Sequence, residues 1–384
     1  MEIILFLVGM MILVGFLKEI GLFTWLLQRV IIIKNISAKK LMATLIFTSG
    51  IMACLVDEVS SILFMIMVIL EISDFFEINP IPFVISSILA TNIGSAGTVM
   101  GNPIGILIAV RAQLTFEDFM KYSFPFTILS LLLLLVLLLI IFKKELKELN
   151  EKIDQNTPND ILIKLLSVPA EKNMKVGLIV FVATIILISI HHRLELFLGL
   201  EKNTVLLIAP LLSSSIIMVW RRQRARSYIE KEVEWWSLLF LIFLFAQAGV
   251  LAETGVAEII AKKSLLIVPN NKVCLVTAVL FGSAFVSSVL DNIVVVAGFM
   301  PVMHTLNEIL NMKNILWWTL LFGACFGGNI TIIGSTANIV AIGALEKKTG
   351  KSIDFFYWLK IGFVVGVATL VFILCALLIM PYYE

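Results

Sequence analysis

The sequence has 384 residues, of which 60% are hydrophobic and 15% charged, and its mean hydropathy is +1.05. Soluble proteins usually contain about 45–50% apolar and about 25% charged residues, so the composition excludes an ordinary water-soluble domain, a disordered chain and a secreted disulfide scaffold. The net charge of +2 provides no strongly basic face, and nucleic acid is therefore not an expected partner.

Long uncharged runs predict membrane spans. A helix that crosses a bilayer needs about 20 mostly apolar residues. Runs of this kind occupy residues 122–142, 203–220, 235–252, 273–290 and 361–383. The sequence therefore predicts an all-α polytopic protein that lies in the lipid of the cell membrane.

The apolar stretch at residues 41–72 is split by two adjacent acids, Asp57 and Glu58. A charged side chain at the centre of a membrane helix costs about 2.5–3.5 kcal/mol on insertion scales, and this stretch contains no lysine or arginine. Ser60 and Ser61 follow within about one helical turn of Asp57, so they can face the same site. The pattern predicts a helical hairpin whose charged turn is neutralised by a proton, a bound cation or the ends of broken helices.

Two uncharged runs are too long for single membrane helices: residues 78–110 and residues 314–345. As continuous helices they would be about 50 Å long, against about 30 Å for the hydrocarbon core. Each contains a polar, glycine-rich patch near its middle, at residues 91–103 and 327–338. Because broken helices at membrane depth are tolerated where they line a cavity or are buried in protein, both runs are predicted to be broken helices.

The second half of the sequence repeats motifs of the first half in the same order. The matched segments are residues 15–21 with 249–255, residues 55–59 with 289–293, and residues 97–101 with 330–334. The second match places Asp291 at the turn of a second hairpin, within residues 273–303. Repeated halves of this kind are typical of secondary transporters.

Lysine and arginine clusters predict the orientation, because cytoplasmic loops are enriched in these residues. The main basic loops are residues 24–40, 143–175 and 221–235. With these loops in the cytoplasm, the two hairpins enter the membrane from opposite sides, and the halves are predicted to be inverted repeats. The predicted units are a first repeat at 1–142, a cytoplasmic linker at 143–174, and a second repeat at 175–384, with two leading helices at 175–220 and a core at 235–384.

The hairpin turns and glycine-rich patches also resemble a known family. The segments concerned are VDEVSS at residues 56–61, NIGSAGTVMGNP at 92–103, LDN at 290–292 and GGNITIIGSTAN at 327–338. They resemble the arsenical pump membrane protein and P-protein branch of the ion transporter superfamily, which is related to D-type sodium/proton antiporters and divalent-anion/sodium symporters. The resemblance covers nearly the whole chain. It implies a transport domain of two re-entrant hairpins and two broken helices, elevator-type movement and a homodimer.

The resemblance also implies which residues bind the transported ion and the substrate. In symporters of the superfamily, the hairpin turns and the loops of the broken helices hold both. The corresponding residues are Asp57, Glu58, Ser60, Ser61, Asn92, Gly97, Thr98, Asn102, Asp291, Asn292, Asn329, Thr331, Ser335 and Asn338. A coupling sodium ion would bind at Asp57, Ser60, Ser61, Asp291 and Asn292.

The sequence departs from the family pattern in three places. Its first hairpin turn is Asp57-Glu58, where family members commonly carry Asp-Asn, and the acid-Pro that usually follows the first patch is Asn102-Pro103. The sequence also begins at a segment that family members usually reach after two earlier helices. The additional acid at position 58 favours coupling to a cation or a proton.

We therefore expect a secondary active transporter that moves arsenite, a similar small inorganic solute or another anion, coupled to protons or sodium. The alternatives are a sodium/proton antiporter, a sodium-coupled dicarboxylate or sulfate carrier, and a membrane receptor that has kept the fold without transport. No cofactor is expected, and the sequence contains no HExxH, GxSxG or P-loop motif of an enzyme. Arsenical pump proteins can work with a soluble ATPase, but no residue of this sequence indicates that partner.

Overall fold

A computed structural model of the chain describes residues 2–23, 25, 37–155, 172–267, 271–310 and 314–379. These residues are predominantly helical, and no strand occurs among them. The helices of the first half are α1 (Glu2–Glu19), α2 (Ala38–Leu55), α3 (Glu58–Phe75), α4 (Ile81–Ser95), α5 (Pro103–Ala112), α6 (Phe116–Tyr122), α7 (Phe124–Ile141) and α8 (Lys143–Gln155). Those of the second half are α9 (Lys172–Ser189), α10 (His191–Leu198), α11 (Thr204–Trp220), α12 (Trp235–Glu253), α13 (Val256–Ile267), α14 (Lys272–Ser287), α15 (Asn292–Leu310), α16 (Ile315–Gly327), α17 (Thr336–Thr349) and α18 (Phe355–Ile379).

Several of these helices are long and apolar enough to cross a bilayer. Within the described ranges, α2, α7, α15 and α18 meet this criterion of length and composition. The number rises from four to six when two bent pairs are each counted as one span: α9 with α10, and the turn at Ala225–Glu232 with α12. Because α2 and α15 belong to the predicted hairpins, their length alone does not distinguish a spanning from a re-entrant path, and the re-entrant path stays a prediction.

The chain turns and breaks where the polar residues interrupt the apolar runs. Val56 and Asp57 separate α2 from α3, and residues 288–291 separate α14 from α15. The first long run breaks between α4 and α5, and the second breaks between α16 and α17. Each break ends at a residue that caps the next helix: Asn102 Oδ1 accepts from Gly105 N at 2.8 Å, and Ser335 Oγ accepts from Ala337 N at 3.2 Å.

The hairpins pack on the broken helices through close backbone contacts. A β-carbon on Gly94 of α4 would lie 2.2 Å from the Gly50 carbonyl oxygen of α2. At the matched position of the second half, a β-carbon on Gly327 of α16 would lie 2.5 Å from the Ala284 carbonyl oxygen of α14. No larger side chain fits either position without a shift of the backbone.

Matched threonines attach each break to its hairpin. The Thr98 hydroxyl donates to the Cys54 carbonyl oxygen at the end of α2. The Thr331 hydroxyl donates to the Ser288 carbonyl oxygen just after α14. The sequence repeat is therefore accompanied by recurring contacts, whereas the inverted orientation of the halves and the elevator movement stay predictions.

The carboxyl end of α1 is tied to the segment that follows α11. Glu19 Oε1 lies 2.9 Å from Arg221 Nη2 and from Arg224 Nη1, and Glu19 Oε2 accepts from the Tyr228 hydroxyl at 2.5 Å. Tyr228 begins a π-helical turn, Tyr228–Glu232, which leads to α12. Helix α1 also packs along α11, so the segment after α11 is held beside α1.

The predicted cytoplasmic loops are described only in part. Residues 24, 26–36 and 156–171, which include most of the basic loop 24–40 and much of the linker 143–174, lie outside the described residues. The linker begins as helix α8, and the loop 221–235 contains the helical turns Ala225–Ser227 and Tyr228–Glu232. The sidedness of these loops stays a prediction.

Candidate ion and substrate site

A cavity of about 480 Å³ lies where the two halves of the chain meet. Its walls come from α1, from the segment 231–241, from both hairpin turns and from the starts of α5 and α17. The predicted site residues that line it are Asp57, Glu58, Ser60, Asn102 and Asp291. The cavity therefore collects functional candidates that are more than 200 positions apart in the sequence.

The aspartates of the two turns also cap helices. Asp57 Oδ1 accepts a hydrogen bond from Ser60 N at 2.7 Å, at the start of α3. Asp291 Oδ1 accepts from Ile293 N at 3.0 Å, while its Oδ2 accepts from Thr336 N at 3.2 Å and from the Thr336 hydroxyl at 2.6 Å. Because amide groups at helix starts favour negative charge, the cavity offers carboxylates and positive helix ends side by side.

Glu58 differs from the two aspartates in its surroundings. Only 4% of this residue is exposed, although it lines the cavity. Its Oε2 has no hydrogen-bond partner among the described residues, and the Ser95 hydroxyl lies beside the carboxyl group. A buried carboxylate without a partner is costly, so this group needs a proton or a cation.

Charged residues outside the sequence motifs contribute to the same cavity. Its acidic side chains are Asp57, Glu58, Glu232, Glu234 and Asp291, and its basic side chains are Lys18 and Lys231. Lys18 Nζ lies 3.8 Å from Glu232 Oε2, so one lysine is already partly neutralised. The acids outnumber the lysines, and the cavity as a whole favours cations.

Five residues of the cavity were not predicted from the sequence: Lys18, Lys231, Glu232, Glu234 and Thr336. A signal existed for Lys18 and Thr336, because they lie in a repeated segment and in the second glycine-rich patch. No sequence signal identifies residues 231–234, which belong to a polar segment between helices. They reach the cavity only because the turn after α11 is tied to α1.

Three predicted asparagines lie in the protein interior rather than on the cavity. Asn92 Nδ2 donates to Asn329 Oδ1 at 2.9 Å and to Asn338 Oδ1 at 2.8 Å. Asn329 Nδ2 donates to the Leu89 carbonyl oxygen at 3.3 Å, and the Asn329 carbonyl oxygen accepts from Trp358 Nε1 at 3.2 Å. This network connects the broken helices of the two halves.

The other predicted residues lie behind the cavity wall. They are buried or half-buried and do not line the cavity: Ser61, Gly97, Thr98, Asn292, Thr331 and Ser335. Of the residues predicted to hold sodium, Asp57, Ser60 and Asp291 line the cavity, whereas Ser61 and Asn292 do not. The binding roles of all these residues stay predictions.

A second cavity, of about 470 Å³, lies near the other ends of the same helices. It is lined by Arg111 at the end of α5, by Gly249 near the end of α12, and by His304 and Thr305 in α15. The first cavity is lined by the starts of α5 and α12 and by the turn before α15. The two cavities therefore lie toward opposite ends of these three helices.

Comparison with known proteins identifies the family. A family model described as "Citrate transporter" (CitMHS) matches residues 1–322 and, in a second match, residues 237–382. A protein of Mycobacterium bovis named "uncharacterized transporter" is 30% identical over 375 residues, which cover 95% of this chain and 82% of the relative. The "46 kDa membrane protein" of Mycobacterium leprae is 28% identical over 380 residues, covering 96% and 84%.

The predicted relationship to the P protein also appears in the comparison. The human P protein is 24% identical over 446 residues, which cover 98% of this chain and 53% of the P protein. Neither the family description nor the names of these relatives mention arsenite, so the arsenical-pump specificity stays a prediction. The chain belongs to the citrate transporter family, and it is a multi-pass membrane transporter.

Proposed function

We propose that this protein is a secondary active transporter that moves a small carboxylate anion together with protons or sodium ions. Citrate is the first compound to test, because the family is described by it. The observation that carries the proposal is the cavity in which Asp57 and Asp291 meet the starts of α5 and α17. As the family resemblance implies, we further propose a homodimer in the cell membrane with the main basic loops in the cytoplasm.

The charges of the cavity favour coupled movement over the passage of an anion alone. A free polycarboxylate would be repelled by five acidic side chains and attracted by two lysines. Protons or sodium ions at the acids remove this repulsion, and the positive helix ends and the lysines then favour the anion. Binding of either species is stronger when the other is present, which is the condition for coupling.

A sodium/proton antiporter is the second candidate function. The excess of acidic over basic side chains favours it, because a carboxylate at membrane depth can bind a cation or a proton in turn. Arsenite transport is the third candidate. Arsenous acid is uncharged near neutral pH and needs no cationic side chain, so Lys18 and Lys231 on the cavity favour an anion over it.

The test uses purified protein in liposomes that contain a pH-sensitive dye. Citrate, a dicarboxylate, arsenite, sodium and lithium are added separately across an imposed proton gradient, and uptake of radiolabelled citrate is measured in parallel. We expect citrate uptake with a dye response. A dye response to sodium or lithium alone would instead support the antiporter, and a response to arsenite alone would support the third candidate.

Charge-neutral variants test the site itself. Asp57→Asn and Asp291→Asn keep a side-chain oxygen for helix capping but remove the charge, so we expect both to lose coupled transport. Asp354→Asn is the matched control, because Asp354 is an exposed residue that accepts from Tyr357 N at 2.9 Å outside the cavity. If both cavity variants kept the transport rate and pH dependence of the original protein, the site assignment would be wrong.

A further inference from the structure

Glu58 occupies the position that Asn292 occupies in the second half. The match of residues 55–59 with 289–293 aligns these two side chains directly after the turn aspartates Asp57 and Asp291. Both side chains are buried, and each lies against the helix that precedes its break. The hydrogen-bond partners around Asn292 therefore indicate which kind of group fits at the matched position 58.

Position 292 requires a hydrogen-bond donor. The neighbouring acceptors determine the orientation of the Asn292 amide. With its nitrogen toward them, Asn292 donates to the Gly334 and Ala324 carbonyl oxygens, both at 2.9 Å. In this way the turn of the second hairpin is bound both to α16 and to the break that follows it.

The surroundings of Glu58 offer its carboxyl group one shared donor, the Ser95 hydroxyl. The Ser95 hydroxyl has one hydrogen, and the Asn92 carbonyl oxygen, at 2.9 Å from the Ser95 oxygen, is a second acceptor for it. The Ser95 oxygen already accepts from Asn102 Nδ2 at 3.0 Å. Glu58 Oε2 has no partner among the described residues, and an ionised carboxylate would compete with the Asn92 carbonyl oxygen for the single Ser95 hydrogen.

A proton suits this place better than a metal cation. Sodium and other hard cations bind several oxygen ligands. The Asn102 amide nitrogen lies 3.0 Å from Ser95 Oγ and 3.2 Å from Cys325 Sγ, so the Ser95 oxygen beside Glu58 is bordered by a donor and a thiol rather than by further oxygen ligands. A protonated carboxyl, in contrast, needs only one acceptor and becomes the donor that the position lacks.

We propose that Glu58 binds the coupling proton and that this proton holds the first hairpin turn against the break between α4 and α5. The protonated carboxyl donates to the Ser95 oxygen, in place of the Asn amide of the second half. Release of the proton into the cavity leaves a carboxylate that favours separation of the turn from the break. The inference rests on the proposed transport function and names the proton as its coupling ion.

The other charged groups that line the cavity with Glu58 come from several of its walls. Four of them are acidic and two are basic. They are Asp57 at the same turn, Asp291 at the other turn, Glu232, Glu234 and Lys231 in the segment after α11, and Lys18 in α1.

The first experiment measures the proton without transport. Dicyclohexylcarbodiimide reacts with protonated carboxyl groups in apolar surroundings, and peptide mass spectrometry locates the product. We expect Glu58 of the purified full-length protein to be modified, with less modification as the pH rises and none at position 58 in Glu58→Gln. Modification of other acids with none at Glu58 at any pH would overturn the proposal.

The second experiment measures coupling. Glu58→Gln keeps the shape and donates at every pH, so we expect the dye response that accompanies substrate uptake to be lost, and stimulation by a proton gradient to be lost with it. Glu58→Asp restores a titrating group and should recover part of both. Glu346→Gln, which changes an exposed acid of α17 outside the cavity, is the control.

The outcomes separate this inference from the proposed function. No transport by the original protein would contradict the proposed function, while the carbodiimide result would still test Glu58. Transport by the original protein that remains proton-coupled in Glu58→Gln would overturn the inference alone. If Glu58→Gln does not fold, Glu58→Asp and the labelling of the original protein decide the question.

Discussion

The side-chain amide of Asn92 donates hydrogen bonds to two asparagines in the second half of the chain. Its nitrogen donates to Asn329 Oδ1 and Asn338 Oδ1, and all three residues are fully buried. Asn338 Nδ2 is itself engaged by the Gly328 and Thr331 carbonyl oxygens, so its amide cannot turn over without losing those bonds. The network therefore requires a donor at position 92.

We expect Asn92→Asp to destabilise the protein strongly. The substitution keeps the shape but places an acceptor against two acceptor oxygens, and a buried unsatisfied group costs about 1–3 kcal/mol, more when it is charged. The thermal unfolding midpoint in detergent should fall. Asn79→Asp is the matched control, because Asn79 is exposed and its oxygen caps α4 by accepting from Ile81 N at 3.3 Å, which aspartate can also do. Equal midpoints for the two variants would contradict a structural role of Asn92.

The asparagines and glycines of the two patches show which features of single residues can be predicted from local sequence. Dense Gly, Asn and Pro predicted the breaks correctly, because these residues act on the local backbone. The same patterns placed Asn92, Asn329 and Asn338 with the cavity residues. Whether an asparagine faces a cavity or a neighbouring helix depends on the packing of residues more than 200 positions apart, which local patterns do not contain.

At the scale of elements, Asp291 connects a hairpin to a broken helix. One carboxylate oxygen caps α15, and the other accepts two hydrogen bonds from Thr336 at the start of α17. Asp57 makes the corresponding cap on α3 through Ser60 N. The second turn is therefore fixed to its break through a side chain that also lines the cavity.

Two substitutions at Asp291 should separate its capping role from its charge. Asp291→Ala removes the caps, which are each worth about 0.5–2 kcal/mol, whereas Asp291→Asn keeps an acceptor oxygen. We expect the unfolding midpoint to fall more in Asp291→Ala than in Asp291→Asn, and coupled transport to be lost in both. A stable Asp291→Asn variant with full transport would show that the carboxylate serves only as a cap.

The hairpin turns and the helix breaks were predictable because apolar runs, turn acids and glycine-rich patches are features of contiguous sequence. The walls of the cavity were predictable only in part. Residues 231–234 belong to the predicted cytoplasmic loop 221–235, and the contacts of Glu19 with Arg221, Arg224 and Tyr228 bring that loop to α1. Such contacts join residues about 200 positions apart and leave no local pattern.

At the scale of the whole molecule, two cavities lie toward opposite ends of α5, α12 and α15. Ser237, near the start of α12, lines the first cavity, and Thr305, in the second half of α15, lines the other. The arrangement agrees with alternating access, in which a central path opens to one side of the membrane at a time. The basic segment beside Ser237 predicts that the first cavity faces the cytoplasm.

Labelling from each side of the membrane tests this orientation. In a variant without Cys274 and Cys375, we expect a membrane-impermeant maleimide to react with Ser237→Cys from the cytoplasmic side only. Thr305→Cys should react from the outside only. Cys54 and Cys325 are buried and provide an unlabelled reference in the same protein. Reaction of both introduced cysteines from the same side would contradict the predicted orientation.

The hydrogen bonds of Asn92 can form only after much of the second half has been synthesised. Its two partners lie 237 and 246 residues further along the chain. At translation rates of about 5–20 residues per second, a ribosome needs on the order of 10–50 s to reach them. During that interval the newly made first half has an amide whose partners do not yet exist, so it cannot complete its packing alone. The packing around Asn92 is therefore one of the last steps in the folding of this protein.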